Sequence, residues 1–360
     1  MQEIIGKLNT IPHSAYTQGT ANVKTFGALG DGVTNDTEAI KKAIATGKAV
    51  YFPSGTYLIY EQIDVSRDLC IFGDGDASVV KMMPGDNLTC KMVNSGAGHN
   101  IELRNLVLDA NKAGYLANGA TDDCSVSCVY LWKPNSVKMS NVVCKNAYSS
   151  GAIIMCEDDD HTEVVQIDNC CFQGNGIYQE GGDGLELLGD LSNVVVANCV
   201  MANNGAMGLS VTGRNGKFSN ISSYGNGWDG VCLGGMASYN LLSNIDAHGN
   251  RGGVHLKSSS GADIDGSAVK ACTNYGNMFQ NVRTAGNTYG IMFGVSCDTK
   301  ICGLCSDDEY GFALCCGKNA GASGNVINES FVTKGTDLSG DSFESICVDF
   351  IPSLTLRYPL

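Results

Sequence analysis

At 360 residues, with 46 glycines, 17% charged residues and a net charge of −14, the chain has length for two or three average domains, yet a repeat fold can fill that length as one. The acidic balance argues against phosphate-driven nucleic-acid binding and against anionic membrane surfaces, while an anionic polysaccharide remains open through a local basic patch. No apolar run approaches the ~18 residues of a membrane-spanning helix.

Met1 to Ala21 is polar and aperiodic and reads as an N-terminal arm or linker, residues 1–21. It has no apolar stretch followed by a small-residue cleavage site, so no secretory signal is expected. From Asn22 a short strand and a Gly/Asp loop lead to a helix predicted near 36–46. Asn35 with Glu38 three residues on suggests a capping box, and Ala39, Ile40, Ala43 and Ile44 share one face. One amphipathic helix ahead of a repeat array is best explained as a cap over the open end of its core.

Behind the helix the chain repeats itself. An Asn is followed by a Gly/Asn turn and then by Gly-apolar-x-apolar: Asn198 with Gly208-Leu209-Ser210-Val211, Asn220 with Gly230-Val231-Cys232-Leu233, Asn244 with Gly253-Val254-His255-Leu256. The steps of 22 and 24 residues mark a solenoid. Its apolar period of two, broken every few residues by Gly, Asn or Ser, calls for short strands stacked coil on coil in parallel sheets. The predicted class is therefore an all-β parallel β-helix covering 22–334, with 335–360 as a closing segment. Further ladder positions are expected at Asn105, Asn141, Asn169, Asn281 and Asn328, with Gly303 replacing one Asn. The recurring Asn should sit in a turn and bond its counterpart in the next coil. Four steps are longer, at 36, 28, 29 and 37 residues after Asn105, Asn141, Asn169 and Asn244. Their extra residues, Asp109 to Ser127, Glu157 to Thr162, Ile177 to Gly182 and Ser258 to Tyr275, are expected to wall a groove.

The 17 cysteines are odd in number and scattered through the coils, several at inward positions, so they are read as reduced, small hydrophobes in a chain folded in a cytoplasm.

Val23 to Ile44, followed by Val50-Tyr-Phe-Pro-Ser-Gly-Thr-Tyr-Leu-Ile59, closely resembles the opening of pectate-lyase-like superfamily proteins. The resemblance implies a right-handed parallel β-helix of the kind found in polygalacturonases, glucanases, phage tailspikes and capsule depolymerases. It fixes a fold and leaves the reaction open.

In Gly-apolar-x-apolar the x side chains point away from the core and stack in a column: Ile153, Glu186, Ser210, Cys232, His255, Met292, Ala313. The residues before each Gly form a second column: Ser150, Asp183, Met207, Asp229, Gly252, Tyr289, Tyr310. Ionisable groups concentrate between Asn169 and Asn244. Asp183 and Asp229, two coils apart and so about 9.6 Å between backbones, suit the two carboxylates of an inverting glycosidase, with Glu186 as a reserve acid. Equally, each is an Asp before Gly in a turn. Compared with polygalacturonases, Gly182-Asp183-Gly184 resembles their Asn-Thr-Asp-Gly, Trp228-Asp229-Gly230 half of their Asp-Asp pair one coil late, and Gly253-Val254-His255-Leu256-Lys257 their Arg-x-Lys with His255 in place of Arg.

For substrate binding the candidates are Glu180, Arg214, Arg251, His255 and Lys257, the cations toward a sugar carboxylate, with Trp228 as a stacking platform that Tyr178 and Tyr224 could join. Charged residues on a sheet surface are also simply solvated. Glu157-Asp158-Asp159-Asp160-His161 offers oxygens for Ca²⁺, in line with the cofactor of pectate lyases, although adjacent acids more often form a solvated loop. Cys302-x-x-Cys305 with Cys297 and Cys315-Cys316 offers thiols for Zn²⁺; no metal ligands are assigned. The resulting expectation is a polysaccharide-degrading protein of phage-tailspike type, homotrimeric as that resemblance implies and carried on a virion. The alternatives are a polysaccharide lyase using His255 or Lys257 as base, a non-catalytic glycan-binding adhesin, or a cytoplasmic or secreted location.

Overall fold

The computed structural model describes residues 19–84, 89–120, 125–156, 162–177, 180–257, 274–293, 296–314, 326–328, 330–331, 335–337, 342–343, 347–348 and 354–355. Most of residues 1–21, the acidic loop 157–161, Tyr178, the insertion 258–273 and the Cys315-Cys316 pair thus lie outside the described residues.

Apolar residues at every second position leave each strand with one face to bury. The chain buries it by winding into a parallel β-helix, with one sheet of 19 strands and another of 12 in which strand pairs with strand one coil further on. Long strands such as Val194–Ala202, Lys217–Tyr224 and Leu241–His248 each bend at their ladder Asn, then turn into a short strand of the second sheet, Leu209–Val211, Asp229–Leu233 and Gly252–Leu256. Val196, Cys199, Met201, Leu209, Val211, Phe218, Ile221, Val231, Leu233, Leu242 and Ile245 are fully buried between them. Each such aliphatic side chain contributes roughly 1.5–3 kcal/mol by leaving water.

The bend is left-handed backbone, with φ near 53–55° at Asn105, Asn141, Asn169, Asn198, Asn220, Asn244 and Asn281. Asn tolerates this conformation better than most residues. The side-chain amides run coil to coil: Asn141 donates to Asn105 (2.8 Å), Asn220 to Asn198 (2.9 Å), Asn244 to Asn220 (2.9 Å) and Asn281 to Asn244 (3.2 Å). Asn198 instead donates to Asp168. Gly303, at φ 72°, takes the next place, as expected. Asn328 does not follow it: Asn328 pairs with Cys302, one residue short of the ladder, because the strand pairing there shifts the register by one.

A second, buried ladder was not foreseen. Asn175 donates to Asn204 (3.0 Å), Asn204 to Asn226 (2.9 Å), Asn226 to Asn250 (2.9 Å), Asn250 to Asn287 (3.2 Å) and Asn287 to Asp308 (2.7 Å). Each acceptor oxygen also takes the backbone N–H of the same donor residue. The remaining amide hydrogens reach buried carbonyls, for example Asn204 to Phe172 and Asn250 to Ser223. Turn backbone inside the stack is thereby satisfied without water.

The helix is Thr37–Ala45, with Thr37, Ala39, Ile40, Ala43 and Ile44 buried against the first coil. Its start differs from the expected capping box. Asp36 occupies the cap, and its carboxylate accepts instead from Leu29 N (2.7 Å) and Gly30 N (3.1 Å), pinning the Gly-rich loop. Asn35 accepts from Thr37 N at 3.1 Å, and exposed Glu38 lies 3.9 Å from Lys41. At the other end, Gly335–Asp337 still pairs in parallel, whereas Ser342–Phe343, Cys347–Val348 and Leu354–Thr355 pair antiparallel. Cys70, Cys90, Cys128, Cys144, Cys170 and Cys199 are buried free thiols. Burial pushes Cys70 up to about 12 and Cys90 to about 11, as expected of thiols that act as hydrophobes.

Candidate functional site

Strand register sets the site. Ile153 pairs with Glu186, Glu186 with Ser210, Ser210 with Cys232, Cys232 with His255, and His255 with Met292. The column read from the Gly-apolar-x-apolar phrase therefore exists as stacked neighbours on the outer face of the 12-stranded sheet. At the start of the same strands, Gly151 N donates to Asp183 O, Gly184 N to Met207 O and Gly208 N to Asp229 O, so the residues before each Gly stack as well. The turns that deliver Asp183 and Asp229 follow directly on the buried ladder residues Asn175 and Asn226. A ladder built to satisfy backbone also fixes where these carboxyls stand.

Asp183 is 8% exposed. Its Oδ1 accepts from Met207 N at 2.8 Å, and its own N–H donates to Ser150 Oγ at 3.0 Å. The Ser150 hydroxyl donates in turn to Glu186 Oε1, joining the two acids through one buried serine. Burial, then the nearby Glu186 charge and more weakly that of Asp229, push the Asp183 carboxyl up to about 8, against the Met207 N–H and the Lys257 charge. Burial likewise raises Glu186, opposed by the Ser150 hydroxyl. At neutral pH Asp183 therefore holds a proton it can give away.

Asp229, 4% exposed, is tied to His255, whose Nδ1 lies 2.9 Å from Asp229 Oδ2. Asp183 and Asp229 were expected as the carboxylate pair, with Glu186 in reserve and His255 toward substrate; Asp229 is hydrogen-bonded to the His255 imidazole from the next coil. Room for this contact comes from Gly252. A Cβ there would stand 2.5 Å from Asp229 Oδ1 and 2.5 Å from the Met292 methyl, so a side chain would displace the carboxylate. With Nδ1 facing a carboxylate, a neutral imidazole keeps its proton on Nδ1 and leaves Nε2 as the basic nitrogen.

Of the other expected residues, Lys257 continues the His255 strand two positions on, where the alternation again points outward, and its charge is felt at Asp183. Trp228 is half-buried, and its carbonyl accepts from Arg251 N (2.7 Å) and Gly252 N (3.1 Å), which sets exposed Arg251 one coil beyond the indole. Tyr289 and Tyr310 stack at 5.9 Å in the following coils and extend an aromatic edge along the strand starts. Glu180 is exposed on the short turn after Ile177. Arg214 stands apart, exposed beyond the exit of Leu209–Val211, with its guanidinium 3.2 Å from Met236 Sδ. Tyr224 stacks on His248, not on Trp228. Ser150, Cys232 and Gly252 appeared in the two columns without a role; only pairing across coils reveals one.

Acidic groups and an Asp–His pair set on the outer face of stacked parallel coils define a β-helical protein of the pectate-lyase type. The chain matches the family "Rhamnogalacturonase A/epimerase, pectate lyase-like" over residues 20–291 and belongs to it. It is 27% identical over 252 residues to the pre-neck appendage protein of Bacillus phage B103, covering 66% of this chain and 27% of that one. It is 29% identical over 228 residues to mannuronan C5-epimerase AlgE1 of Azotobacter vinelandii, covering 53% and 16%. The chain thus spans about a quarter of the phage appendage proteins it matches. Among solved structures, ORF18 of Geobacillus virus E2 superposes with a TM-score of 0.60 at 16% identity, over 94% of this chain and 63% of that one. The enzymatically active domain of bacteriophage CBA120 tailspike protein 2 gives 0.60 at 14% identity, over 88% and 47%. At these identities the structural likeness speaks for the fold.

Proposed function

We propose that the chain is the polysaccharide-acting β-helix of a virion appendage and that it hydrolyses a glycosidic bond at the Asp183–His255 cluster. The observation that carries this reading is the buried Asp183 carboxyl, raised by burial and joined through Ser150 to Glu186, two coils from Asp229, which orients the imidazole of His255 one coil further on. Asp183 gives its proton to the leaving glycosidic oxygen. His255 Nε2 takes a proton from the attacking water, while Asp229 stabilises the imidazolium that forms. The strand starts of Asp183 and Asp229 stand about 9.6 Å apart, and His255 reaches back from the coil beyond to bond Asp229, so acid and base stand far enough apart to admit water, as inversion requires. Trp228 and the Tyr289–Tyr310 stack supply apolar faces for sugar rings, and Arg251 and Lys257 supply positive charge for an acidic glycan. The phage appendage relatives support the virion setting. A homotrimer belongs to the same reading and is tested by sedimentation.

A panel of bacterial surface and plant polysaccharides, assayed for reducing ends and for unsaturated uronates, tests the reaction. New reducing ends without unsaturation, lost in Asp183→Asn and His255→Gln, are the expected result. Unsaturated products would replace hydrolysis with β-elimination. That second reading has its own support: Lys257 follows directly on the strand that carries His255, and relatives named mannuronan C5-epimerases invite proton abstraction beside a uronate carboxylate. Binding without turnover on a glycan the virion requires would leave an adhesin.

A further inference from the structure

Cys232 is 2% exposed, yet unlike the inward cysteines it occupies the outward column, paired with Ser210 on one side and His255 on the other. Its thiol, a carboxylate oxygen of Asp229 and a ring nitrogen of His255 all lie within 4.8 Å of one another, and all three residues are buried. Acid–base hydrolysis uses the Asp229–His255 pair and gives the thiol no task. Carboxylate, thiolate and imidazole together are instead the donor set of a tetrahedral transition-metal centre.

Distance and charge both fit. Metal–ligand bonds of about 2.0–2.3 Å separate neighbouring donors of a tetrahedron by roughly 3.3–3.7 Å, inside the 4.8 Å limit of this cluster and close to the 2.9 Å Asp229–His255 contact. A divalent cation would take the place of the proton between Oδ2 and Nδ1 with a shift of a few tenths of an ångström. One carboxylate, one thiolate and a neutral imidazole around a 2+ ion sum to zero charge, which burial favours over an isolated anion. The thiolate selects against Ca²⁺ and Mg²⁺, which take oxygen ligands.

We propose that Asp229, Cys232 and His255 form a binding site for a divalent transition cation of the zinc class, with the fourth coordination position left to water or to an oxygen ligand. A cation on Nδ1 would leave Nε2 carrying the ring proton, so the metal-bound form and the acid–base form of His255 exclude one another; binding is measured on the protein alone and does not depend on the polysaccharide reading. Reduced, metal-stripped full chain is titrated with Co²⁺ and then with Zn²⁺. One equivalent of Co²⁺ is expected to give a near-ultraviolet sulfur-to-cobalt charge-transfer band, bleached by Zn²⁺. Cys232→Ser should lose that band while keeping its circular dichroism and melting temperature, since Ser210 already fills the same place one coil earlier. His255→Gln should retain the thiol and weaken Co²⁺ binding at least tenfold. A Cys302→Ser/Cys305→Ser double variant should keep the band, which separates this site from the other cysteine pair. An unchanged band in Cys232→Ser, unchanged affinity in His255→Gln, or no band in wild type would each overturn the proposal.

Discussion

The two asparagine ladders put the same side chain to opposite uses. The outer ladder, from Asn105 to Asn281, lies at the bend of the long strands, where its side chains are half-buried or exposed and each coil-to-coil bond competes with water. There the chain accepts Gly303 in one coil and Asp168 as a substitute acceptor in another. The inner ladder, from Asn175 to Asp308, is buried, and each member serves both a neighbouring amide and a neighbouring backbone N–H. An exposed hydrogen bond replaces one made with water and contributes little, whereas a buried polar group left unpaired costs roughly 1–3 kcal/mol. Two members of the inner ladder, Asn175 and Asn226, also lead into the turns that carry Asp183 and Asp229, so stability and site geometry are joined in one place and separate in the other.

That contrast is testable, beginning with the site the inner ladder supports. Asp183→Asn is expected to lower turnover on a susceptible polysaccharide by about 10²–10⁴-fold, and the same variant should melt higher than wild type at pH 8. In the folded chain this carboxyl titrates at about 8, but in the unfolded chain near 3.9. Between those values the folded state holds the proton and the unfolded state has lost it, so wild-type stability falls as pH rises through that window. The gain from Asn should shrink toward zero near pH 4, as thermal melts across pH would record; a pH-independent gain would contradict a buried, protonated Asp183. Activity should decline above about pH 8 as the acid is lost.

Asn226→Ala removes the acceptor for both Asn204 N–H groups and should destabilise the fold by ~3 kcal/mol in denaturant melts, with turnover falling as the Asp229 turn loosens. Gly252→Ala should disturb less of the fold but crowd Asp229 away from His255. It should lower turnover at constant KM and shift the acidic limb of the pH profile, which the general base sets, a readout that mere loss of packing would not move. The smallest effect belongs to the outer ladder: Asn220→Gly keeps the left-handed backbone available and should change stability by less than ~1 kcal/mol with activity intact. Equal losses for Asn226→Ala and Asn220→Gly would erase the distinction between the ladders.

The outer ladder was legible because Asn before an apolar pair recurs at a fixed step, and left-handed turns favour Asn. The cap helix was legible from its apolar face, but its first turn was not: Asn35 and Glu38 satisfy the capping pattern locally, and the loop brings Leu29 and Gly30 to Asp36 instead. Asn328 was misplaced because a one-residue slip in pairing leaves no trace in composition. The inner ladder lay in plain view as the Gly/Asn turns, yet turn chemistry alone cannot say whether an Asn faces water or its counterpart one coil away.

The period of two within strands and of 22 to 24 residues between coils determined by themselves that this chain is a parallel β-helix and which side chains share its outward column, because periodicity is a local property of the chain. Only the tertiary structure decided that Asp229 faces His255, that Ser150 links Asp183 to Glu186, and that Gly252 makes room for a carboxylate. Those contacts join residues 23 to 36 positions apart, and the register that brings them together is set by the summed packing of every coil.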